Sequence, residues 1–261
     1  MRLDRLRMVD LSVPLESGAA SEPLPAKIDY VTHEDEGLAQ MREFFGVEAD
    51  DLVYSDGLGW AIERIEAITH TGTHVDAPYH YGPCSEGRPA RRIDEVPLDW
   101  CFAPGVVIDV RHKLDGDEIT IDDLEAGLDR IPYPLQPRDI VLLRTGADER
   151  IGTADYFAQP GLGRDGTLWL VEQGVRVIGI DAYTLDRPFR AMVADFRRTG
   201  DGRHIWPAHF AGITREYCQI EKLANLGSIG RAHGFYVSCL PVKIARASAA
   251  WCRAVALVPE T

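Results

Sequence analysis

The residues best suited to do chemistry lie in one short segment, HTGTHVDAPYH at residues 70–80. This histidine segment holds three of the chain's eight histidines and one aspartate. At the chain-average frequency, such a window would hold about a third of a histidine. Imidazole and carboxylate groups are ligands that Zn²⁺ and Mn²⁺ accept. The segment therefore predicts a metal site, and a metal site suggests hydrolytic chemistry.

Two local geometries compete for the histidine segment. On a helix His70 and His74 would be neighbours, but the zinc-protease motif of that spacing has glutamate where this chain has Thr71. On a straight strand they would lie about 13 Å apart, too far to share an ion about 2.1 Å from each ligand atom. We therefore expect a bend at Gly72, with Pro78 fixing the path that follows.

The alternative is that these side chains are ordinary surface or core residues. For one histidine alone that explanation would be the better one. Burying His70, His74, Asp76 and His80 together without a metal or a pairing partner is costly, however. The cluster as a whole therefore favours a metal site.

Composition restricts the class of protein. The 261 residues are 45% apolar and 26% charged, as in a globular protein. A net charge of −13 argues against nucleic acid as a partner. We expect no membrane partner and no secretory signal, because no run of roughly 18 apolar residues exists and the N-terminal stretch lacks an apolar region. The five scattered cysteines include no C-x-x-C pair, which favours a reduced, cytoplasmic location.

The elements that must position the segment follow from periodicity and turn residues. We predict strands at 61–68, 105–110, 139–144, 175–180, 235–244 and 252–258. We predict helices at 33–46, 121–128 (capped by Thr120), 167–173 (closed by Gly174) and 216–226, and a loop at 17–32. Alternating strands and helices indicate one α/β domain over residues 1–261 with a mixed sheet.

Two residues far along the chain are candidates for a second half of the site. His209 precedes the predicted helix at 216–226, and Glu221 lies on it. Taken alone, His209 could be a loop histidine, and Glu221 beside Lys222 could belong to a solvated helix face.

The chain resembles the cyclase family, a group of metal-dependent hydrolases that includes kynurenine formamidase and isatin hydrolase. The family signature H-x-G-T-H-x-D-x-P-x-H is matched in full by residues 70–80. Further likenesses lie at residues 10–12, 139–142, 144–146, 179–182, 223–226 and 253–257. The resemblance implies a swivelling β/β/α fold that assembles as homodimers or homotetramers.

The resemblance also implies roles for the site residues. His70, His74 and Asp76 would bind one ion, and Asp76 would bridge to a second ion held by His209 and Glu221. His80 would be the general acid and base. Glu221 favours two ions per chain, Zn²⁺ or Mn²⁺, over the single-manganese arrangement of isatin-hydrolase-like members.

Other residues are weaker candidates. Asp181 follows the predicted strand at 175–180, so its carboxylate could lie near the site or cap the following turn. Trp60 and Tyr183 could line a substrate pocket or belong to the core. The stretch Asp186-Arg187-Pro188 could order a loop over the site.

A bound ion would activate water for attack on a carbonyl group. We expect hydrolysis of an amide or cyclic amide or imide C–N bond in a small, aromatic molecule. A lactone hydrolase or cyclase acting on a C–O bond is the alternative enzyme. A non-catalytic metal-binding module is the alternative of another class, but structural zinc sites usually have four protein ligands and three are expected here.

Overall fold

The computed structural model describes residues 5–260, and its contacts divide these into two compact units. The large unit takes in the described residues of Met1–Leu15, Ala20–Pro23 and Thr69–Thr261. The small unit consists of Glu16–Ala19 and Leu24–Ile68. One hydrolase domain over residues 1–261 stays a prediction.

The chain forms short strands and six α-helices within the described residues. The strands are β1 (Leu6–Asp10), β2 (Lys27–Val31), β3 (Ile62–Glu66), β4 (His74–Asp76), β5 (Cys84–Ser85), β6 (Arg88–Pro89), β7 (Phe102–Asp109), β8 (Glu118–Ile119), β9 (Ile140–Arg144), β10 (Gly161–Leu162), β11 (Val177–Ile180), β12 (Cys218–Glu221), β13 (Phe235–Ser238), β14 (Ala249–Trp251) and β15 (Val255–Pro259). The helices are α1 (Asp35–Phe45), α2 (Pro78–Tyr81), α3 (Ile121–Leu128), α4 (Arg164–Glu172), α5 (Phe189–Thr199) and α6 (Pro207–Thr214). None of these helices is both long and apolar enough to cross a bilayer.

A nine-stranded mixed sheet organises the large unit, in the order β1-β15-β13-β7-β9-β11-β12-β4-β14. Strands β7, β9, β11 and β12 run parallel to one another, and the strands outside them pair antiparallel. The predicted α/β class with a mixed sheet is therefore confirmed.

The central strands form where the sequence is apolar on both faces. In β9, Ile140 and Leu142 belong to one hydrophobic cluster, whereas Val141 and Leu143 belong to another. A strand covered on both sides reads as a continuous apolar run, which is why periodicity predicted these strands well.

The residues predicted to begin one helix and to end another do so in the structure. Thr120 caps α3, since its side chain accepts a hydrogen bond from the backbone N–H of Asp123. Helix α4 ends before Gly174, whose φ of 94° lies in the left-handed region that favours glycine. Leu124 of α3 and Leu170 of α4 are buried in the same hydrophobic cluster as Val141 and Leu143.

The small unit contains α1 and the antiparallel pair of strands β2 and β3, in which Lys27 lies opposite Glu66. The predicted helix at 33–46 and strand at 61–68 are confirmed. The predicted loop at 17–32 is wrong over Lys27–Val31, because Ser and Pro before it hid a short strand of β-formers.

The predicted helix at 216–226 is also wrong. Cys218–Glu221 is strand β12, fully buried and paired with both β11 and β4. Glu, Lys, Leu and Ala favour helices in isolation, but hydrogen bonding to two neighbouring strands overrides that local preference here.

Candidate metal centre

The histidine segment bends at Gly72, as predicted. Gly72 has a φ of 68°, in the left-handed region, and β4 begins at His74. Pro78 then starts the single-turn helix α2, which returns His80 toward the bend. The ring centroids of His70 and His80 lie 4.1 Å apart.

Sheet register brings a distant glutamate to this segment. Strand β4 lies between β12 and β14, with His74 opposite Glu221 and Asp76 opposite Gln219. Cross-strand partners project from the same face, and so do residues two apart on one strand. The four side chains therefore share one face of two adjacent strands, and all four are buried.

The ligand atoms of this cluster gather around the two oxygens of Asp76. Asp76 Oδ1 lies 2.7 Å from His70 Nδ1 and 3.2 Å from His74 Nε2. His74 Nε2 in turn lies 3.7 Å from Glu221 Oε2. Oδ2 lies 3.9 Å from His209 Nε2, which is 3.6 Å from Glu221 Oε1. The structure thus brings together the five residues expected to bind metal, and their assignment as ligands stays a prediction.

Two of these atoms have the environment of metal ligands. His74 Nε2 and Asp76 Oδ1 are buried 3.2 Å apart, and neither is in a hydrogen bond of good geometry with a described residue, although His70 Nδ1 lies 2.7 Å from Oδ1. The Nδ1–H of His74 donates to the carbonyl of Gly72 at 2.8 Å, which leaves the Nε2 lone pair free. Buried polar atoms without partners are costly, and a cation between these two would satisfy both.

His209 is oriented by Asp186, a residue expected only to order a loop. The Asp186 carboxylate accepts hydrogen bonds from the backbone N–H groups of Ala208 and His209 at the start of α6. It also accepts from His209 Nδ1, which directs Nε2 toward Asp76 and Glu221. A carboxylate behind an imidazole is the usual support of a metal-binding histidine.

A buried ion pair that sequence reasoning missed supports the bend. Lys222 Nζ lies 2.6 Å from Glu22 and donates to the carbonyl of His70 at 2.8 Å. Glu22 accepts from the backbone N–H of Gly72 at 2.8 Å. A solvated helix face was the alternative considered for Glu221 and Lys222, and nothing in the sequence pairs Lys222 with Glu22.

Glu221 is held by the loop that follows β11. Its Oε1 accepts hydrogen bonds from Thr184 Oγ1 and from the backbone N–H of Leu185, both at 2.9 Å. This leaves Oε2 facing His74. The sequence did not indicate a role for either supporting residue. The contact exists because Glu221 lies on strand β12, where a helix was predicted.

Burial and neighbouring charges shift the pKa values in the cluster. Burial would raise the pKa of Asp76, but His74 and His80 outweigh it and hold this pKa well below the ordinary value. Burial would lower the pKa of His74, but Asp76 raises it; Asp186 raises that of His209 in the same way. Burial lowers the pKa of His80 to about 4, so this imidazole is neutral at physiological pH.

The weaker candidates have other partners. The Asp181 carboxylate accepts from Thr145 N, Thr145 Oγ1 and Gly146 N, so it caps the turn after β9, and burial raises its pKa to about 6. Trp60 lies in the small unit, where Nε1 donates to Gln40. The ring of Tyr183 lies 5.0 Å from Lys222 Nζ.

An aromatic side chain missed by the sequence analysis lies beside the cluster. The Trp206 ring stacks on His209 at 4.3 Å between centroids and meets the edge of His80 at 5.3 Å. Its Nε1 is buried and has no hydrogen-bond partner in the described structure. Trp206 has a φ of 53°, a strained conformation that often accompanies a functional site.

Sequence comparison relates this chain to known proteins. The Cyclase family model matches residues 9–187. A kynurenine formamidase of Bordetella petrii is 33% identical over 198 residues, which cover 74% of this chain and 79% of that protein. A kynurenine formamidase of Bacillus cereus is 27% identical over 146 residues, 52% of this chain and 62% of that protein, so the match spans less than two thirds of it.

Structure comparison supports the fold. Isatin hydrolase A from Labrenzia aggregata, solved with benzyl benzoate bound, matches with a TM-score of 0.73 at 24% identity. The match covers 98% of this chain and 95% of that one. The mixed sheet and its connections are therefore shared along nearly the whole chain.

Proposed function

Since the chain belongs to the cyclase family of metal-dependent hydrolases, we propose that it hydrolyses the C–N bond of a small aromatic amide or cyclic amide with the help of a divalent metal ion. One observation carries the proposal: His70 Nδ1 and His74 Nε2 converge on the buried Asp76 Oδ1, at 2.7 and 3.2 Å. The relatives named kynurenine formamidase support the C–N specificity.

The donor set fits a Zn²⁺ or Mn²⁺ ion. His70, His74 and Asp76 would hold the first ion, and three protein ligands leave a coordination position open for water or substrate. His209 and Glu221, with Asp76 between them, would form the second position that the family resemblance implies. When bound, a divalent ion lowers the pKa of a coordinated water and polarises a carbonyl group.

His80 would move the proton. Burial keeps its imidazole neutral at physiological pH, so it can accept a proton from water. A nitrogen of its ring lies within 4.8 Å of the ligand atoms of His70 and Asp76, near the expected reaction centre. The same nitrogen could then return the proton to the leaving amine.

Trp206 would select an aromatic substrate. Its ring lies beside His80 and His209, and the unpartnered indole N–H can donate to a carbonyl oxygen of the substrate. An aromatic substrate would also pack favourably against this indole ring.

The remaining expectations concern the surroundings of the enzyme. We propose a small-molecule substrate, a homodimeric or homotetrameric assembly and a cytoplasmic location. All five cysteines are free and four of them are buried, which suits a reducing compartment.

Turnover by metal-depleted and metal-reconstituted protein tests the proposal. N-formylkynurenine, isatin, simple imides and aromatic lactones are the substrates, and His74→Ala is the matched inactive control. We expect C–N cleavage that depends on added Zn²⁺ or Mn²⁺. Turnover of lactones alone would instead indicate the C–O enzyme, and bound metal without turnover of any substrate would indicate a binding module.

A further inference from the structure

The side chain of Gln219 lies in the middle of the second metal position. Gln219 is opposite Asp76 in the sheet register and two residues before Glu221, so it shares their face. It is fully buried. We propose that the Gln219 amide group takes the place of a second ion, so that the enzyme works with one ion per chain. This inference rests on the proposed metal-dependent function.

The amide nitrogen contacts every ligand atom of that position. Gln219 Nε2 lies 2.6 Å from His209 Nε2, 3.0 Å from Asp76 Oδ2 and 3.4 Å from Glu221 Oε1. All three are acceptors, because His209 donates its other ring proton to Asp186. The NH₂ group thus points the positive ends of its N–H dipoles at these acceptor atoms. A metal ion in the same place would stabilise them with its positive charge.

Ion and amide exclude each other. A ligand atom lies about 2.1 Å from Zn²⁺ and must offer a lone pair. The amide nitrogen offers only its two protons, and these occupy the lone pairs of His209 and Asp76. An ion bound among the same three atoms would displace the amide group.

Tyr217 holds the amide in this orientation. Its hydroxyl lies 3.2 Å from Gln219 Oε1 and 2.9 Å from the carbonyl of Ala208. Tyr217 is itself fully buried and stacks on Tyr81 at 5.0 Å between ring centroids. The amide oxygen therefore points away from the ligand atoms.

The first position is untouched by Gln219. The amide contacts Asp76 through Oδ2, whereas His70 and His74 face the other oxygen, Oδ1. One ion can therefore bind at His70, His74 and Asp76 while the amide remains in place.

Metal stoichiometry tests the inference independently of turnover. Each protein is depleted of metal, loaded with Mn²⁺, desalted and measured by elemental analysis, and Mn²⁺ electron paramagnetic resonance distinguishes isolated from coupled ions. We expect one isolated ion in the unmodified protein and two coupled ions in Gln219→Ala, which opens the space. The double variant Gln219→Ala, His209→Ala should return to one, and Gln219→Leu, which keeps the bulk, should stay at one.

Gln219→Glu keeps the size of the side chain and guards against a folding defect in Gln219→Ala. A carboxylate beside Asp76 and Glu221 requires a cation, so this variant should hold two ions. Two ions in the unmodified protein would overturn the inference, and so would one ion in a folded Gln219→Ala. No bound ion in the unmodified protein would instead overturn the proposed metal-dependent function together with it.

Discussion

Asp76 is the residue on which the two halves of the site depend. Its Oδ1 faces His70 and His74, and its Oδ2 faces His209 and Gln219. Full burial makes this division expensive unless positive charge or donors surround the carboxylate. The histidines on one side and the amide on the other provide both.

The substitution His80→Ala should separate the catalytic step from metal binding. We expect kcat to fall by about 10²–10⁴-fold, the typical contribution of a positioned acid or base. Metal content should stay unchanged, because the first position has His70, His74 and Asp76. Steady-state kinetics with elemental analysis on the same sample measures both, and His74→Ala is the metal-losing control. Loss of metal with an unchanged rate per bound ion would contradict the assignment.

Protons should compete with the metal at these residues. Neighbouring carboxylates raise the pKa of His74 and His209, so their protonated forms persist above the ordinary histidine pKa. Binding an ion to His74 requires the neutral imidazole, so the apparent metal affinity should rise as the pH is raised from about 6 to 8. Calorimetry in two buffers of different ionisation enthalpy measures the affinity and the proton release. An affinity independent of pH, with no proton released, would exclude this competition.

At the scale of elements, the bend at Gly72 positions the histidines on either side of it. Gly72→Ala places a Cβ at a left-handed φ, which should cost about 1–2 kcal/mol of stability. The new Cβ meets only Leu15 at 3.6 Å, so backbone strain rather than crowding is the cause. Metal affinity should fall as well, because relaxation of the bend moves His70 and His74.

Gly200→Ala is the matched control for that change. Gly200 has a φ of 71° and follows the last residue of α5, and a Cβ added there would meet no atom of a residue beyond its neighbours in the chain within 4 Å, among residues 5–260. Thermal unfolding should show a similar loss in both variants, with metal affinity unchanged only in Gly200→Ala. Equal metal affinity in Gly72→Ala and the unmodified protein would show that the bend does not set the ligand geometry.

Strand β12 shows what the sequence could and could not reveal. Local composition predicted a helix there, on which residues two apart point in different directions, so Gln219 was not linked to Glu221. As a strand, the same residues share a face with His74 and Asp76. The histidine segment and the apolar strands were predictable, because their signals are local. Gln219, Asp186 and the Glu22–Lys222 pair were not, since pairing between distant segments creates their roles.

At the scale of the whole molecule, metal binding should stabilise the fold. The first position joins the bend to β4, and β4 lies between two other strands of the nine-stranded sheet. An ion that binds only the folded protein adds about 2.7 kcal/mol when present at a hundredfold excess over its dissociation constant. Calorimetry with and without a chelator should therefore show a lower Tm after metal removal. In His74→Ala the chelator should change the Tm little; an equal shift in both proteins would place the stabilising ion elsewhere.

An activity titration shows whether C–N cleavage depends on a single bound ion. Metal-depleted protein receives increasing amounts of Zn²⁺ or Mn²⁺, and hydrolysis of an aromatic amide such as N-formylkynurenine or isatin is followed at each step. We expect no activity without an ion and a linear rise that ends at one equivalent per chain. A full rate in the metal-free protein, or saturating metal with no C–N cleavage, would contradict it.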